Sequence, residues 1–519
     1  IIESMKPSDR ISIITFSNSA ETLCDLTYID DTNKTYIKTL VNNLKTYGAT
    51  NIWAGLNKGL EQYINHTGYN NRVKSLMFLT DGIPSNHLLP PRGIIQTLEK
   101  KIKNMNEKNL IVPNIYTFGF GNNLDTSLLV NIAEKGNGHF SYIPDSGFVG
   151  TIFIHSLSYI NTLICNNVCV DLEYMCDKFK QNVKILGYDK YNIDLNTLHL
   201  GNNRHLIFKI LSDDLITCSN SLAIALKYKT IENEERISQI SIHKNKEIIN
   251  NTNNLNYNIY RLKLIECLNS DNITELADNL NIYLNYNNIP YDIYVDLEQI
   301  KMAIYTYYNS WGKNYVKSFR IAHLEERCNN FKDKSIQNYG GKLFNLIKND
   351  IDDIYNNISP PIPSNQKFYN ESNKNNNKNI INNYTFSQSF NNSNNGCFHK
   401  NSIIKMYNNG DNKYIQHIQK NDFVMDQYGN KCKVLCVIIY KCCDNKCLMV
   451  KLNGGTIITP YHPVLNNKND WVFPSSLGVI KEYETDYVYN LILDSNHTVI
   501  INSNICVTLG HNITSNFVV

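Results

Sequence analysis

The chain has 519 residues, 42% of them hydrophobic, and a formal net charge of +3 from 50 basic and 47 acidic residues. At ~100–200 residues per domain, this length predicts three or four domains with packed cores. A charge so near zero excludes a general attraction to nucleic acid or anionic membranes, and no apolar run approaches the ~20 residues of a membrane helix. We therefore expect neither nucleic acid nor a membrane as a partner.

The cysteines also bear on the cellular compartment. Fourteen of them are scattered at irregular spacing, whereas disulfide frameworks are typical of short secreted domains. We therefore expect reduced thiols in a cytoplasmic protein. A zinc site is the less favoured alternative because a paired CxxC is lacking among its candidates, Cys432, Cys436, Cys442, Cys443 and Cys447.

Residues 1–160 alternate between two patterns. The runs RISIITFS, VKSLMFLTDG and NIYTFGFG predict strands, and NIWAGLNKGLEQYI, LEKKIKNMNEKN and TSLLVNIAEKG have the apolar spacing of helices. This alternation predicts a doubly wound α/β domain, with a parallel sheet covered on both faces.

The composition then changes three times. Short strands separated by Asn and Asp turns predict a β-sandwich over 161–255, and apolar spacing of three and four predicts a helical segment over 256–358. The stretch 359–395 is predicted to be a disordered linker, since thirteen of the thirty-two residues 364–395 are asparagine. Residues 396–513 are dense in β-branched and aromatic residues and predict a compact all-β unit.

Gly396 and Cys397 stand where the linker meets this all-β unit. A cysteine after a glycine can attack the preceding carbonyl through a five-membered ring, which converts the peptide bond into a thioester. That reaction needs a thiolate, donors for the oxyanion and a general acid for the departing nitrogen. The dipeptide alone is weak evidence for such chemistry.

The segment GGTIITPYHPV places Thr459 and His462 just past a predicted strand end. A histidine three residues after a threonine can present both side chains towards one point. His462 can then donate a proton to the scissile nitrogen, while Thr459 orients that nitrogen or binds the carbonyl. Taken alone, this segment is as well explained by a turn histidine before a proline.

Together, these residues resemble a Hint domain, the fold of inteins and of hedgehog autoprocessing domains. The resemblance rests on Gly396–Cys397, on the Thr-x-x-His pair, and on DYVYNLILDSNHTVIIN with its late histidine, His497. A series of residues at the spacing typical of the family adds to it: Gly410, Lys413, Ile415, Ile418, Asp422 and Val424. The resemblance implies self-cleavage at Gly396–Cys397 by an N–S acyl shift and needs no cofactor. Cys397 would be the nucleophile, His462 the general acid and Thr459 an orienting donor.

The sequence departs from the family at two places. Counted from His497, the terminal His-Asn pair of a splicing intein should fall at Thr508-Leu509, and the only nearby His-Asn is followed by Ile513. Lys441 stands where hedgehog domains carry an aspartate, which argues against sterol transfer and favours water or a thiol as acceptor. Cleavage at the N-terminal end of the Hint domain alone is thus favoured over full splicing.

In the first domain, Thr50 precedes a predicted helix and Asp81 follows a predicted strand. Sites in doubly wound sheets lie beyond the carboxyl ends of the strands. A hydroxyl and a carboxylate there suit Mg²⁺ or another divalent cation. The alternative is a helix N-cap and a turn aspartate.

The segments FLTDG and GATNI resemble a von Willebrand factor A domain, in which Thr50 and Asp81 would be metal ligands. The Asp-x-Ser-x-Ser motif of that family is absent, and the chain starts at Ile1 without a signal peptide, so we expect an N-terminally truncated domain. The resemblance implies a protein ligand bound through the metal.

The order of domains resembles that of proteins from protists and giant viruses that join an A domain to a C-terminal Hint domain. Some of these relatives carry a ubiquitin-ligase-type module, which suggests a link to the ubiquitin system. Two alternatives to self-cleavage remain: a metal-dependent binding protein with an inert Hint domain, and full protein splicing.

Overall fold

The computed structural model describes residues 1–45, 48–65, 72–110, 112–145, 148–172, 183–188, 191–211, 221–232, 234–243, 252–328, 333–356, 397–407, 411–442, 445–460 and 462–509. The chain forms two compact units, Ile1–Asn383 and Tyr384–Val519. The predicted linker 359–395 lies outside the described residues, and so do Gly396, Gly410 and Cys443. No helix in the described ranges is both long and apolar enough to cross a membrane.

The first unit opens with an α/β region. Its elements are β1 Arg10–Phe16, β2 Ala20–Tyr28, α1 Asp31–Asn42, α2 Ile52–Asn65, β3 Ser75–Thr80, α3 Gly93–Glu107, β4 Asn114–Phe120, α4 Thr126–Lys135, β5 Phe140–Ile143 and α5 Val149–Thr162. Strands β3, β4 and β5 form a parallel sheet, as the alternating pattern predicts. Strands β1 and β2 instead form an antiparallel hairpin, which the expectation of a parallel sheet did not include.

Helix α2 packs across both groups of strands. The rings of Phe16 and Phe78 stack at a centroid distance of 4.9 Å beneath it. A Cβ at Gly55 would lie 2.9 Å from the Phe16 ring, and a Cβ at Gly59 would lie 2.6 Å from Leu76 Cδ1. The two glycines thus allow close approach of the helix, which brings its N-terminus to the carboxyl ends of β1 and β3.

Two layers of strands follow. The strands are β6 Leu163–Asp171, β7 Val183–Ile185, β8 Asn192–His199, β9 Phe208–Ile210, β10 Ser221–Thr230 and β11 Glu235–His243. One sheet has the order β11-β10-β6-β8, and β7 pairs with β9 in a second sheet. Val170 and Ile193 of the first sheet share a buried core with Ile185 of the second. This arrangement agrees with the sandwich predicted for 161–255.

The rest of the first unit is helical. The helices are α6 Thr252–Cys267, α7 Ile273–Leu284, α8 Tyr291–Lys301, α9 Lys313–Leu324, α10 Lys334–Gln337 and α11 Gly341–Asn356. Wide π-helical turns over Met302–Thr306 and Tyr308–Gly312 join α8 to α9. The helical segment predicted over 256–358 is therefore not α-helical throughout, and the wider turns accompany the complete burial of Trp311.

The second unit is all β in its described residues. Its strands are β12 Phe398–His399, β13 Ile403–Lys405, β14 Asn412–Tyr414, β15 Phe423–Met425, β16 Lys431–Lys441, β17 Lys446–Lys451, β18 Ile457–Ile458, β19 Val464–Leu465, β20 Trp471–Val472, β21 Ile480–Glu484, β22 Tyr487–Leu493, β23 Thr498–Ile501 and β24 Asn504–Val507. They form a seven-stranded sheet, β15-β16-β22-β12-β18-β17-β21, and a six-stranded sheet, β14-β13-β23-β24-β19-β20. The short β12 thus occupies the middle of the larger sheet.

Candidate functional site

Cys397 lies immediately before β12. Phe398, the next residue, pairs with Ile458 on one side and with Tyr489 on the other. Cys397 is 4% exposed, and its side chain clusters with Met449 and Val488. The central strand therefore holds the backbone of Cys397 firmly and encloses its thiol in apolar surroundings.

Thr459 holds both backbone groups of Cys397. The Cys397 N–H donates to Thr459 Oγ1 at 2.8 Å, and the Thr459 N–H donates to the Cys397 carbonyl at 3.0 Å. The nitrogen concerned is that of the Gly396–Cys397 peptide bond. Thr459 follows β18 directly, so the pairing of β12 with β18 brings its hydroxyl to this nitrogen. The hydroxyl oxygen accepts in this contact, whereas the sequence predicts an orienting donor.

His462 lies in the same site and is 1% exposed. Its backbone N–H donates to the Thr459 carbonyl at 3.2 Å, and its ring lies 4.2 Å from the Phe398 ring, centroid to centroid. Its Nε2 is 2.7 Å from the Val507 carbonyl oxygen. Because a carbonyl only accepts, Nε2 carries the proton in this contact, and Nδ1 is the basic nitrogen of the neutral ring.

Burial determines the acidity of the nucleophile candidate. The pKa of the Cys397 thiol is raised, first because burial removes the thiolate from water and second because Cys442 lies nearby. The thiol is thus protonated at neutral pH. A reaction at this sulfur requires that its proton be removed.

His497 lies between β22 and β23, close to the end of β24. Its carbonyl accepts from the Thr508 N–H at 2.8 Å. His497 Nδ1 and Thr508 Oγ1 are buried without a hydrogen-bond partner in the described part of the chain. Thr508 and Leu509 thus occupy the place where counting from His497 puts the terminal His-Asn pair. Neither side chain carries the carboxamide that asparagine cyclisation needs.

The other Hint positions of interest lie around β16. Lys441, which stands where hedgehog domains have aspartate, pairs with Tyr487 at the strand's end. The candidate zinc cysteines divide between the two ends of the strand: Cys432 near its start, Cys442 just after its end. Within the described ranges, no group of three or more His, Cys, Asp or Glu residues could hold a metal ion.

Thr50 and Gly82, the residue after Asp81, lie close together at the carboxyl edge of the first domain. A Cβ at Gly82, next to Asp81, would lie 3.2 Å from Thr50 Oγ1. The Ser85 N–H donates to the Thr50 carbonyl at 3.0 Å, which ties the two loops together, and Asp81 is exposed. One hydroxyl and one carboxylate are the right kind of donor for Mg²⁺. They are only two of the about six oxygens that Mg²⁺ takes, so by themselves they do not complete a magnesium site.

Some features of these sites are not apparent from the sequence. The loop after β1 also reaches the metal candidates, since Asn51 N–H donates to the Ser17 carbonyl at 2.8 Å. The Val507 carbonyl and the Phe398 ring, which orient His462, depend on strand pairings between distant segments. The polar sequence FSNS could have indicated the first of these, whereas no local pattern indicates the others.

Family models match three parts of the chain. Residues 1–154 match the von Willebrand factor type A domain, 288–353 match a "VWA / Hh protein intein-like" family, and 396–519 match a Hint domain. "Uncharacterized protein YfbK" of Escherichia coli K12 is 22% identical over 221 residues, which are 40% of this chain and 36% of that protein. "Inter-alpha-trypsin inhibitor heavy chain H3" of Mesocricetus auratus is 29% identical over 143 residues, 27% of this chain and 15% of that protein. The chain thus spans about a third or less of these curated relatives.

Two solved structures are similar to parts of the chain. A von Willebrand factor type A protein from Catenulispora acidiphila is 11% identical and covers 54% of this chain and 72% of its own, with a TM-score of 0.37. A DnaB intein from Synechocystis sp. PCC 6803 is 20% identical and covers 22% of this chain and 98% of its own, with a TM-score of 0.19. The chain is thus multidomain and matches, in order, a von Willebrand factor type A domain, a VWA/Hh intein-like region and a Hint domain.

Proposed function

We propose that the chain cleaves itself at the Gly396–Cys397 bond by an N–S acyl shift. The observation that carries the proposal is the hydrogen bond from the Cys397 N–H to Thr459 Oγ1 at 2.8 Å, because it holds the scissile nitrogen in place. The backbone N–H of His462 is bonded to the Thr459 carbonyl, and its ring packs on Phe398, the residue after Cys397. A Hint domain fits autoprocessing or splicing, and these contacts support the N–S acyl shift.

In the first step, the Cys397 sulfur attacks the Gly396 carbonyl through a five-membered ring. The carbon–sulfur bond forms while the carbon–nitrogen bond breaks, and the nitrogen must receive a proton to leave as an amine. Solvent base takes the thiol proton before the attack, and His462 gives a proton to the nitrogen through Nδ1, since Nε2 is already committed to the Val507 carbonyl. The Thr459 hydroxyl can rotate from accepting to donating as the nitrogen lone pair develops.

In the second step, an acceptor takes the acyl group from the thioester. Because Lys441 stands where hedgehog domains have an aspartate, water or a small thiol is the favoured acceptor. The products are an A-domain fragment ending at Gly396 and a fragment beginning with Cys397. An external amine or thiol in place of water would leave the A-domain fragment ligated to it.

A gel decides between this proposal and its alternatives. The wild-type chain and Cys397→Ala are expressed, purified and incubated with hydroxylamine, which attacks thioesters. In proportion to 59.8 kDa for 519 residues, the wild type should give bands of about 46 and about 14 kDa. A wild type that stays intact favours the binding protein with an inert Hint domain, and a product that joins the flanking segments favours splicing.

The pH dependence of cleavage follows from the burial of the nucleophile. Because the pKa of Cys397 is raised, the thiolate fraction grows by about tenfold per pH unit across the ordinary cysteine range. We expect the cleavage rate at fixed nucleophile concentration to rise from about pH 7 to about pH 9. A raised pKa also means that stability falls as pH rises through it, so circular dichroism at each pH should accompany the gels. A flat profile in the folded protein contradicts control by the thiolate.

We further propose that the A domain binds a protein partner through a metal ion. Its Thr50 and Asp81 supply two oxygens for Mg²⁺ and leave other positions to water, to further ligands and to a carboxylate of the partner. We expect Asp81→Ala to weaken Mg²⁺ binding at least about tenfold, measured by isothermal titration calorimetry. Asp25→Ala, which removes an exposed carboxylate elsewhere in the domain, is the matched control. Equal affinities of the wild type and Asp81→Ala contradict this site.

A further inference from the structure

Cys442 and Cys447 form a pair of thiols that the cleavage chemistry does not use. They flank the short connection between β16 and β17, and neither is in a disulfide. Cys447 is close enough to hydrogen-bond the Cys442 sulfur, and both side chains pack against one buried cluster.

The pair lies beside the cleavage site. Cys397, Met449 and Val488 form a buried apolar cluster, and Cys442 and Cys447 pack against it. Both thiols are only partly buried, whereas Cys397 is 4% exposed. Reagents from solution therefore reach the pair more readily than they reach the nucleophile.

The surroundings of Cys442 favour its thiolate. Its pKa is lowered, first by the hydrogen bond from Cys447 and also by the charge of Lys400, while burial and Asp486 act against this. The Cys442 N–H donates to the Asp486 carbonyl at 2.8 Å, and Lys400 Nζ lies 2.6 Å from Asp486 Oδ1. An acidic, partly accessible thiol in contact with a second thiol is the arrangement found in redox-active cysteine pairs.

We propose that Cys442 and Cys447 are a redox-active dithiol that closes to a disulfide by exchange with a low-molecular-weight disulfide such as glutathione disulfide. The Cys442 thiolate attacks one sulfur of the glutathione disulfide, and one glutathione leaves as its thiolate. Cys447 loses its proton and attacks the Cys442 sulfur, which releases the second glutathione. Two protein thiols are thereby oxidised by two electrons, and one glutathione disulfide is reduced to two glutathiones.

The test uses the full chain with Cys397→Ala. This substitution prevents cleavage and removes the Cys397 thiol, which lies in the same cluster as the pair. The protein is equilibrated in glutathione buffers, quenched with acid and alkylated, and its cysteine peptides are mapped by mass spectrometry. We expect a Cys442–Cys447 cross-link. At a fixed ratio of reduced to oxidised glutathione, tenfold dilution of the buffer should raise the ratio of disulfide to dithiol tenfold. A mixed disulfide with glutathione would not change on dilution.

Two variants in the same background provide controls. Cys447→Ser removes the resolving thiol, so Cys442 should gain one glutathione and lose the dependence on dilution. Cys436→Ser removes an exposed cysteine of the same strand and should leave the cross-link unchanged. The proposal is overturned if both thiols stay open to alkylation while Cys436 gains glutathione, or if Cys442 pairs instead with its neighbour Cys443.

One consequence rests on the proposed function. The charge of Cys442 helps to raise the pKa of Cys397, so oxidation of the pair removes that charge. Wild type oxidised in advance should therefore release its fragments faster in hydroxylamine at neutral pH, by up to about tenfold if the pKa falls by one unit. In the wild type, a Cys442–Cys447 cross-link without cleavage contradicts the proposed self-cleavage alone. Cleavage without the cross-link contradicts the redox-active dithiol alone.

Discussion

Cys397→Ala should remain a single band of full length under conditions in which the wild type yields two fragments. Alanine has no sulfur to attack the Gly396 carbonyl, so neither the thioester nor any later step can form. We therefore expect complete loss of cleavage, measured by gel densitometry over a day at pH 8 with and without hydroxylamine.

The control for this variant must remove a cysteine without touching the site. Cys436→Ala serves this purpose, since Cys436 is exposed on β16. The Cys397→Ala chain must also be folded, and its circular dichroism and thermal unfolding should match those of the wild type within a few degrees, since one buried sulfur is lost. Fragments of the same size from a folded Cys397→Ala chain would show that the cut lies elsewhere or is made by a contaminating protease.

Local sequence patterns predict where helices and strands lie better than they predict which strands pair with each other. The helical spacing around Leu56 and Leu60 and the buried run of β4 lead directly to elements that the structure contains, because each pattern lies within one element. The β1–β2 hairpin and the π-helical turns before Trp311 are missed. Their shapes depend on neighbours that the local sequence does not identify.

The same limit applies to the site. Cys397, Thr459 and His462 can be singled out because thioester chemistry needs those groups and the Thr-x-x-His spacing is short. The contact of His462 with Val507 spans 45 residues and depends on the pairing of β19 with β24. The proximity of Cys442 and Cys447 is likewise missed, because the irregular spacing of the cysteines predicts only reduced thiols or, less favoured, a zinc site.

His462→Gln is expected to slow cleavage by about 10²–10⁴-fold, the usual contribution of a general acid. The departing nitrogen is a poor leaving group until it is protonated, and the thiol of Cys397 can attack without completing the reaction. Glutamine keeps a hydrogen-bond donor for the Val507 carbonyl but has no proton to give at neutral pH. The initial rate of fragment release in hydroxylamine measures the effect.

His417→Gln is the matched control, since His417 is an exposed histidine of the same unit. Its rate should equal that of the wild type within a factor of two. The smaller variant His462→Ala leaves space beside the Phe398 ring, which the His462 ring contacts at 4.2 Å, so added imidazole should restore part of its rate. Rescue by imidazole distinguishes a lost proton donor from a lost structural contact. If His462→Gln cleaves at the wild-type rate, the proton comes from another group, and Thr459 becomes the remaining candidate at the nitrogen.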